Sequence, residues 1–320
     1  MLRKMQQTSV LVTGSSGFIG SHLCARLIAD LGCKVIGIDS TPPRNGIGDA
    51  DRSLNTANDR NKELFSFKEV DITNSHEVDN LYRNSDTDFV FHLAALANPR
   101  ACKANFDLAF KVNVRGTKNI VQGSPKDSRL VFMSSAAVYG MPTRIPIGEE
   151  QPRNGTDPYA VTKIMGEDLC KCMLDNYEHD ICIGRNFNAF GEGQIADYII
   201  PTLIKQAVME HTIQVWNSTP VRDFLYIEDT INALITIAER GKCGEKYNIG
   251  SGRGTRIGEL VDIVKNIMNE DMDVQDLKKE VTGSNQLIAD ASSLKKLGWE
   301  PRIDLQEGIR RTVEYFKKTK

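Results

Sequence analysis

Metal and disulfide chemistry have little to draw on in this chain: its 320 residues include five histidines and seven cysteines. The cysteines (Cys24, Cys33, Cys102, Cys170, Cys172, Cys182, Cys243) are odd in number and make no CxxC pair, so neither a disulfide framework nor a zinc site is expected. Cys170 and Cys172 form a CxC, but helix neighbours two apart point in different directions. Most of the seven lie in apolar stretches, where a free thiol behaves as a small hydrophobe. Charge of one sign is also missing. Forty Lys and Arg stand against 42 Asp and Glu, a formal net charge of −2, without the concentrated basic surface that nucleic acid demands. No apolar run approaches the roughly 20 residues that span a bilayer. Arg3 and Lys4 resemble the start of a signal peptide, yet the apolar run 9–12 leads straight into a glycine turn with no cleavage site. The expectation is a reducing, cytoplasmic compartment, with no metal, nucleic acid or membrane as partner.

What is present is alternation. Short apolar runs at 9–12, 34–38, 64–70, 89–93, 129–133 and 181–185 predict strands, with helical patterns near 18–31, 77–82, 106–121 and 159–176. Near-continuous runs such as 34–39 suit strands buried on both faces, as in a parallel sheet with crossover helices. After Phe187 the alternation decays into helices near 198–210, 228–239, 257–269 and 305–317, separated by short strands. The expected class is α/β: a Rossmann-type, doubly wound parallel sheet over 1–186, taking in about 222–248 as well. A smaller α+β substrate lobe would occupy most of 187–320. The segment 41–61, with two prolines and several Gly and Asn, predicts a long surface loop.

The first strand feeds Thr13-Gly14-Ser15-Ser16-Gly17-Phe18-Ile19-Gly20. Glycines there let the backbone approach a pyrophosphate, and the helix N-terminus that follows offers it free N–H groups. The spacing is GxxGxxG, one residue longer than the Rossmann fingerprint. Asp39 ends the second strand, where a carboxylate accepts both ribose hydroxyls of NAD and repels a 2′-phosphate. NAD is therefore preferred to NADP, with Arg44 the one nearby cation against it. Asp71 and Ile72 follow the third strand and face an adenine; Leu93, Ala94 and Ala95 follow the fourth, small enough for a cofactor backbone to pass. His92 reads as a packed or hydrogen-bonded residue.

Tyr159-Ala-Val-Thr-Lys163 opens a helix behind Asp157-Pro158, a plausible N-cap and first turn. The i, i+4 spacing puts both side chains on one face. A tyrosine near pKa 10 is a poor base; a nearby ammonium and a pyridinium ring favour its phenolate. Ser134 and Ser135, ending the fifth strand, offer a hydroxyl to hold the reacting oxygen, one of the two being a structural turn residue.

These motifs, with Asn113-Val-Arg-Gly-Thr117 and Arg185-Asn-Phe-Asn188, stand in the order seen in extended short-chain dehydrogenases. The chain resembles the NAD-dependent nucleotide-sugar epimerase/dehydratase family over nearly its whole length; Val221–Asp229, Tyr247–Ser251 and Ala289–Ser292 extend the match. The resemblance implies that Ser135, Tyr159 and Lys163 are catalytic. It implies that Gly14, Gly17, Phe18, Ile19, Gly20, Asp39, Asp71, Ile72, Leu93, Ala94, Ala95 and Asn113, with Tyr159 and Lys163, bind NAD. Asn188 and Arg222 match diphosphate contacts. Trp216 lies near the place of the nucleotide base, with core packing as its alternative. A homodimer through the helices near 106–121 and 159–176 is implied as well.

The family's 4,6-dehydratases commonly carry Thr-x-Glu where this chain has Ser135-Ala136-Ala137, and alanine supplies no proton. The resemblance therefore points to a nucleotide-sugar 4-epimerase with tightly held NAD and, by analogy, a UDP-hexose substrate. A 4-ketoreductase consuming NAD(P)H is the rival reading; a 4,6-dehydratase or a non-catalytic dinucleotide-binding protein ranks below both. Two departures leave the sugar open. Residues 280–286 lack the family's second diphosphate-binding Arg, and Asn186 replaces an aromatic or small apolar residue.

Overall fold

The computed structural model describes residues 3–42, 63–268, 272–280 and 283–319. Arg44 and nearly all of the 41–61 segment lie outside them.

Strands β1 (Ser9–Thr13), β2 (Lys34–Asp39), β3 (Phe65–Glu69), β4 (Phe89–His92), β5 (Arg129–Ser135) and β6 (Asp180–Asn186) fall on the six apolar runs. They join β10 (Lys246–Ile249) in one seven-stranded sheet of order β10-β6-β5-β4-β1-β2-β3, parallel throughout. The order reverses at β1, whose neighbours are β2 and β4. Crevices form at such a reversal outside the carboxyl ends of the strands. β4 is buried along its length and β5 along all but its last residue, because helices cover both faces.

One face carries α2 (Ser75–Arg83), α5 (Thr117–Gly123) and α6 (Pro158–Tyr177), packed on Leu11, Val90, Leu130, Phe132, Ile181 and Ile183. The other carries α1 (Phe18–Ala29) and α8 (Ile227–Arg240), whose core runs on into the C-terminal lobe. Between β4 and α5 lie α3 (Pro99–Ala104), α4 (Phe106–Phe110) and a π-helical stretch, Lys111–Gly116. The single helix expected over 106–121 is thus three consecutive pieces, and α3 precedes it. Asn98 starts α3 by accepting hydrogen bonds from Arg100 N and Ala101 N, with Pro99 at the first helical position.

The C-terminal lobe holds α7 (Ile199–Met209), α9 (Ile257–Met268), α10 (Ser292–Lys295) and α11 (Leu305–Lys318). In its four-stranded mixed sheet, β9 (Val221–Tyr226) pairs with β7 (Asn188–Phe190), β11 (Gly254–Arg256) and β13 (Gln286–Leu287); β8 (Thr212–Val215) and β12 (Asp273–Asp276) pair separately. β9 therefore belongs to the smaller sheet, and the chain returns to the large sheet only with α8 and β10. Trp299, buried in the core, donates its indole N–H to Asp229 O at 3.1 Å and ties the last segment to α8.

Candidate active site

β1 ends at the reversal point, and Gly14 follows at φ +73°. A Cβ there would stand 2.8 Å from Ala94 N, and one on Gly20 would overlap the Gly14 carbonyl oxygen. The turn is compact because both positions lack a side chain. α1 begins after Gly17 with no side-chain cap and no acid in its first turn. Its leading N–H groups, those of Phe18, Ile19 and Gly20, have no intrahelical acceptor and could meet an anion. Asp39 Oδ2 accepts from Ser16 N at 3.2 Å, which brings the end of β2 to the same turn. Burial pushes its carboxyl pKa up, against hydrogen bonds from Thr41 and Ser16. These residues could hold a dinucleotide: a glycine cradle for the pyrophosphate and a carboxylate for the ribose hydroxyls.

The neighbouring strand ends are tied to one another. Thr13 Oγ1 accepts from Leu93 N (3.1 Å) and Ala94 N (3.0 Å). With both lone pairs taken, its proton goes to His92 Nδ1 at 2.8 Å. His92 Nε2–H then donates to Thr117 Oγ1 at 2.9 Å, and Thr117 donates to Asn113 O. The network thus fixes one tautomer, and burial, with the Lys163 charge, lowers the pKa of His92 to about 3. His92 is a neutral strut. Asn113, also buried, accepts from Leu96 N and donates to Leu96 O and to Thr162 Oγ1 of α6. Its amide is spent on aligning the strand-end loop with α6. Ala95 is half-buried in that loop. Asp71 is exposed and accepts from Thr73 N, while Ile72 packs beneath the π-helical stretch, where a Cβ on Gly116 would strike it.

The two serines at the end of β5 divide. Ser134 donates to Glu167 Oε1 at 2.6 Å and faces α6. Ser135 faces the other way, accepts from Ala137 N, and lies beside the Tyr159 hydroxyl, close enough to lower its pKa. Tyr159 occupies the first turn of α6, which Asp157 caps by accepting from Ala160 N. Lys163, one turn on, donates its ammonium to Met133 O at 2.7 Å and lies 5.0 Å from the centre of the Phe132 ring. Burial brings its pKa down to about 8. The sequence led to an expectation that Lys163 would depress the Tyr159 pKa. In this geometry burial pushes the phenol up, the neighbouring Ser135 opposes it, and the ammonium is turned to a carbonyl.

In the smaller lobe, Asn188 Nδ2 donates to Asp223 O at 2.8 Å, fastening β7 to β9. Arg222 donates to Val221 O and Asn285 O, and burial lowers its pKa. Trp216 is not in the core: it is 60% exposed, with Lys279 Nζ 4.1 Å and Arg100 Cζ 5.6 Å from its ring centre. Arg100 comes from α3, so a cation–π contact spans the large sheet's helices and the C-terminal lobe.

Sequence reasoning missed the residues beneath the serines. Arg185 and Glu167, both buried, form a two-point pair at 2.8 and 2.7 Å. Arg185 also donates to Tyr139 Oη and Glu149 O, and Tyr139 donates to Asn248 Oδ1. Asn248 in turn donates to Ile147 O and Asp290 O. Burial drives Glu167 up, but Arg185, Ser134 and Arg153 outweigh it and hold the carboxyl below the usual range. A cavity of about 390 Å³ opens beside this pair, between α6 and β6, and includes none of the glycine turn, Ser135 or Tyr159. Among the described residues no group of three His, Cys, Asp or Glu side chains could hold a metal.

The NAD dependent epimerase/dehydratase family matches residues 10–250. The human dTDP-D-glucose 4,6-dehydratase is 29% identical over 324 residues, covering 96% of this chain and 89% of that one. The UDP-glucose 4-epimerase of Mycolicibacterium smegmatis is 27% identical over 315 residues, covering 96% and 98%. Among solved structures, the Bacillus cereus UDP-glucuronic acid 4-epimerase in complex with UDP-glucuronic acid and NAD is 29% identical, with a TM-score of 0.87 over 98% of this chain and 100% of that one.

Proposed function

The chain belongs to the NAD dependent epimerase/dehydratase family, and from that premise we propose that it is a UDP-sugar 4-epimerase, an isomerase working through NAD. The similar structure that holds NAD and UDP-glucuronic acid supports the cofactor and the substrate class. The observation that carries the reaction is the nearness of Ser135, at the end of β5, to the Tyr159 hydroxyl, with Ala136 and Ala137 following. NAD held at the glycine turn would supply a hydride acceptor for C4 of the sugar and a source for the hydride's return. Everything else falls to side chains. Ser135 fixes the C4 oxygen and Tyr159 removes its proton, so a 4-keto sugar forms; rotated in the site, that ketone is reduced on its other face. Lys163 leaves the Met133 carbonyl to hold the ribose and favour the phenolate. With alanine at 137, no carboxyl stands there to protonate a leaving hydroxyl, and dehydration has no acid.

Gly14, Gly17 and Gly20 cradle the pyrophosphate and Asp39 takes the ribose. Asp71 and Ile72 meet the adenine, and the Leu93–Ala95 backbone passes beside the chain of the cofactor. Asn188 and Arg222 take the substrate diphosphate, the guanidinium by charge-assisted bonds, and Trp216 the base. The large sheet with its helices is the cofactor lobe, and the remainder the substrate lobe. Incubated with UDP-glucose or UDP-glucuronic acid and no added cofactor, the protein should interconvert the C4 epimers. Arg222→Ala should raise KM roughly tenfold or more, as loss of a hydrogen bond to charge costs about 1.5–3 kcal/mol. Stoichiometric NAD(P)H consumption would sink the reading, and an unchanged KM the role of Arg222.

A homodimer is part of the proposal. Phe106, Leu108 and Phe110 on α4 and Met165 on α6 are large apolar side chains left exposed on packed neighbours. Sedimentation should return twice the 35.6 kDa of one chain; a monomer at micromolar concentration would refute it. The free cysteines, five of them buried, support a reducing cytoplasmic compartment. Among the described residues no helix is long and apolar enough to cross a membrane.

A further inference from the structure

Asn186 closes β6 directly beside Ser135, its partner in the β5–β6 register. Along β6, Ile181 and Ile183 pack toward α6 and Arg185 reaches Glu167. Cys182 belongs to the core on the other face, and a Cβ on Gly184 would meet Ile249 and Ile237. By the twofold alternation of a strand, Asn186 turns away from α6. Ser135 does the same, because Ser134 is the one that faces Glu167. The two side chains therefore share one face at the carboxyl end of the sheet.

The Asn186 amide has nothing to bind there. Its Oδ1 is buried without a donor, and its Nδ2 shares no hydrogen bond with any described residue. Buried polar groups in folded proteins are paired almost without exception, and an orphan calls for a ligand or a functional cause. Asn188, two residues on, donates one amide hydrogen to Asp223 O. The orphan is thus a property of position 186, not of the whole strand end.

We infer that Asn186 pairs with the carboxamide of the nicotinamide ring and fixes the plane of that ring beside the sugar. The inference rests on the NAD-dependent reading above. Hydride transfer requires the reacting atoms about 3–3.5 Å apart. The ring must therefore lie next to the carbon whose oxygen Ser135 and Tyr159 hold, which is where Asn186 projects. A side-chain amide offers one acceptor and a donor pair in the same planar arrangement as a carboxamide, so two such groups can pair head to head through two N–H···O bonds. Epimerisation needs the ring to stay in place while the keto sugar turns over, and a two-point hold on the carboxamide provides that.

The test uses 3-acetylpyridine adenine dinucleotide, in which a methyl ketone replaces the carboxamide and removes its N–H donors. The purified protein is equilibrated with an equimolar mixture of this analogue and NAD; the bound nucleotides are then released and quantified. Wild type should retain NAD over the analogue by about tenfold, the equivalent of the one hydrogen bond the analogue cannot make. Asn186→Leu and Asn186→Ala should both bring that ratio near one. Asn186→Asp, which keeps an acceptor, should preserve most of it. A wild-type ratio in the Leu and Ala variants overturns the pairing. The same ratio with a raised KM for the UDP-sugar would assign the Asn186 amide to a sugar hydroxyl instead, also against the inference. Wild type that binds neither dinucleotide would remove the NAD reading itself, a failure distinct from that of Asn186.

Discussion

Tyr159→Phe should lower kcat by about 10²–10⁴-fold, the range that a positioned proton-transfer group contributes, while the protein still carries NAD at wild-type occupancy. The hydroxyl is the only group removed, and its neighbour in this structure is Ser135. The glycine turn and Asp39 lie on β1, α1 and β2, away from it. Cofactor retention and turnover are therefore separable, and the two measurements belong together. A variant within threefold of wild type would transfer the proton to another group. A variant that lost its NAD would instead make Tyr159 part of the cofactor's anchorage. Ser135→Ala should lower kcat less, because it removes a positioning contact and leaves the base.

Glu167→Ala should cost about 3–5 kcal/mol of stability, the penalty for stripping one partner from a buried ion pair. The guanidinium of Arg185 would be left buried, with Tyr139 and the Glu149 carbonyl unable to neutralise it. Urea unfolding at pH 7 measures the effect; a loss below about 1 kcal/mol would show that water or another acid compensates. The sign with pH follows from the depressed carboxyl. Because the folded pKa of Glu167 lies below its ordinary 4.5, the stability from ionisation is complete above about pH 5–6. It is lost as pH falls through 4.5 toward the native value. The gap between wild type and Glu167→Gln should narrow over that window.

The parallel sheet was legible because strands buried on both faces must be apolar nearly throughout, and five of its seven strands announce themselves that way; β3, at the sheet edge with no buried residue, shows instead by alternation. β10 does neither. Lys246-Tyr-Asn-Ile is short and polar, and its Asn248 is buried on a hydrogen-bond network that only the folded chain brings together. The helix over 106–121 was legible as helix but not as three pieces, since a π-helical stretch keeps nearly the same apolar spacing. α3 had a usable signal in Asn98-Pro99, an N-cap followed by proline. At the site, the pattern YxxxK and the serine pair could be read in one dimension, and the resemblance singled out Ser135, but not that Ser134 donates to Glu167. That follows from strand alternation against α6. Nor could one dimension reveal Met133 O as the partner of Lys163, or the exposure of Trp216 between cations drawn from two parts of the chain.

Tracing the hydride tests the account most directly. UDP-glucose or UDP-glucuronic acid carrying deuterium at C4 is incubated with the protein, without added cofactor, to equilibrium between the C4 epimers. If the hydrogen leaves to bound NAD and returns to the same sugar, the epimer keeps its deuterium at C4, and no reduced dinucleotide appears in solution. Deuterium lost to water, or recovered in free NADH, would contradict oxidation and return within one closed site.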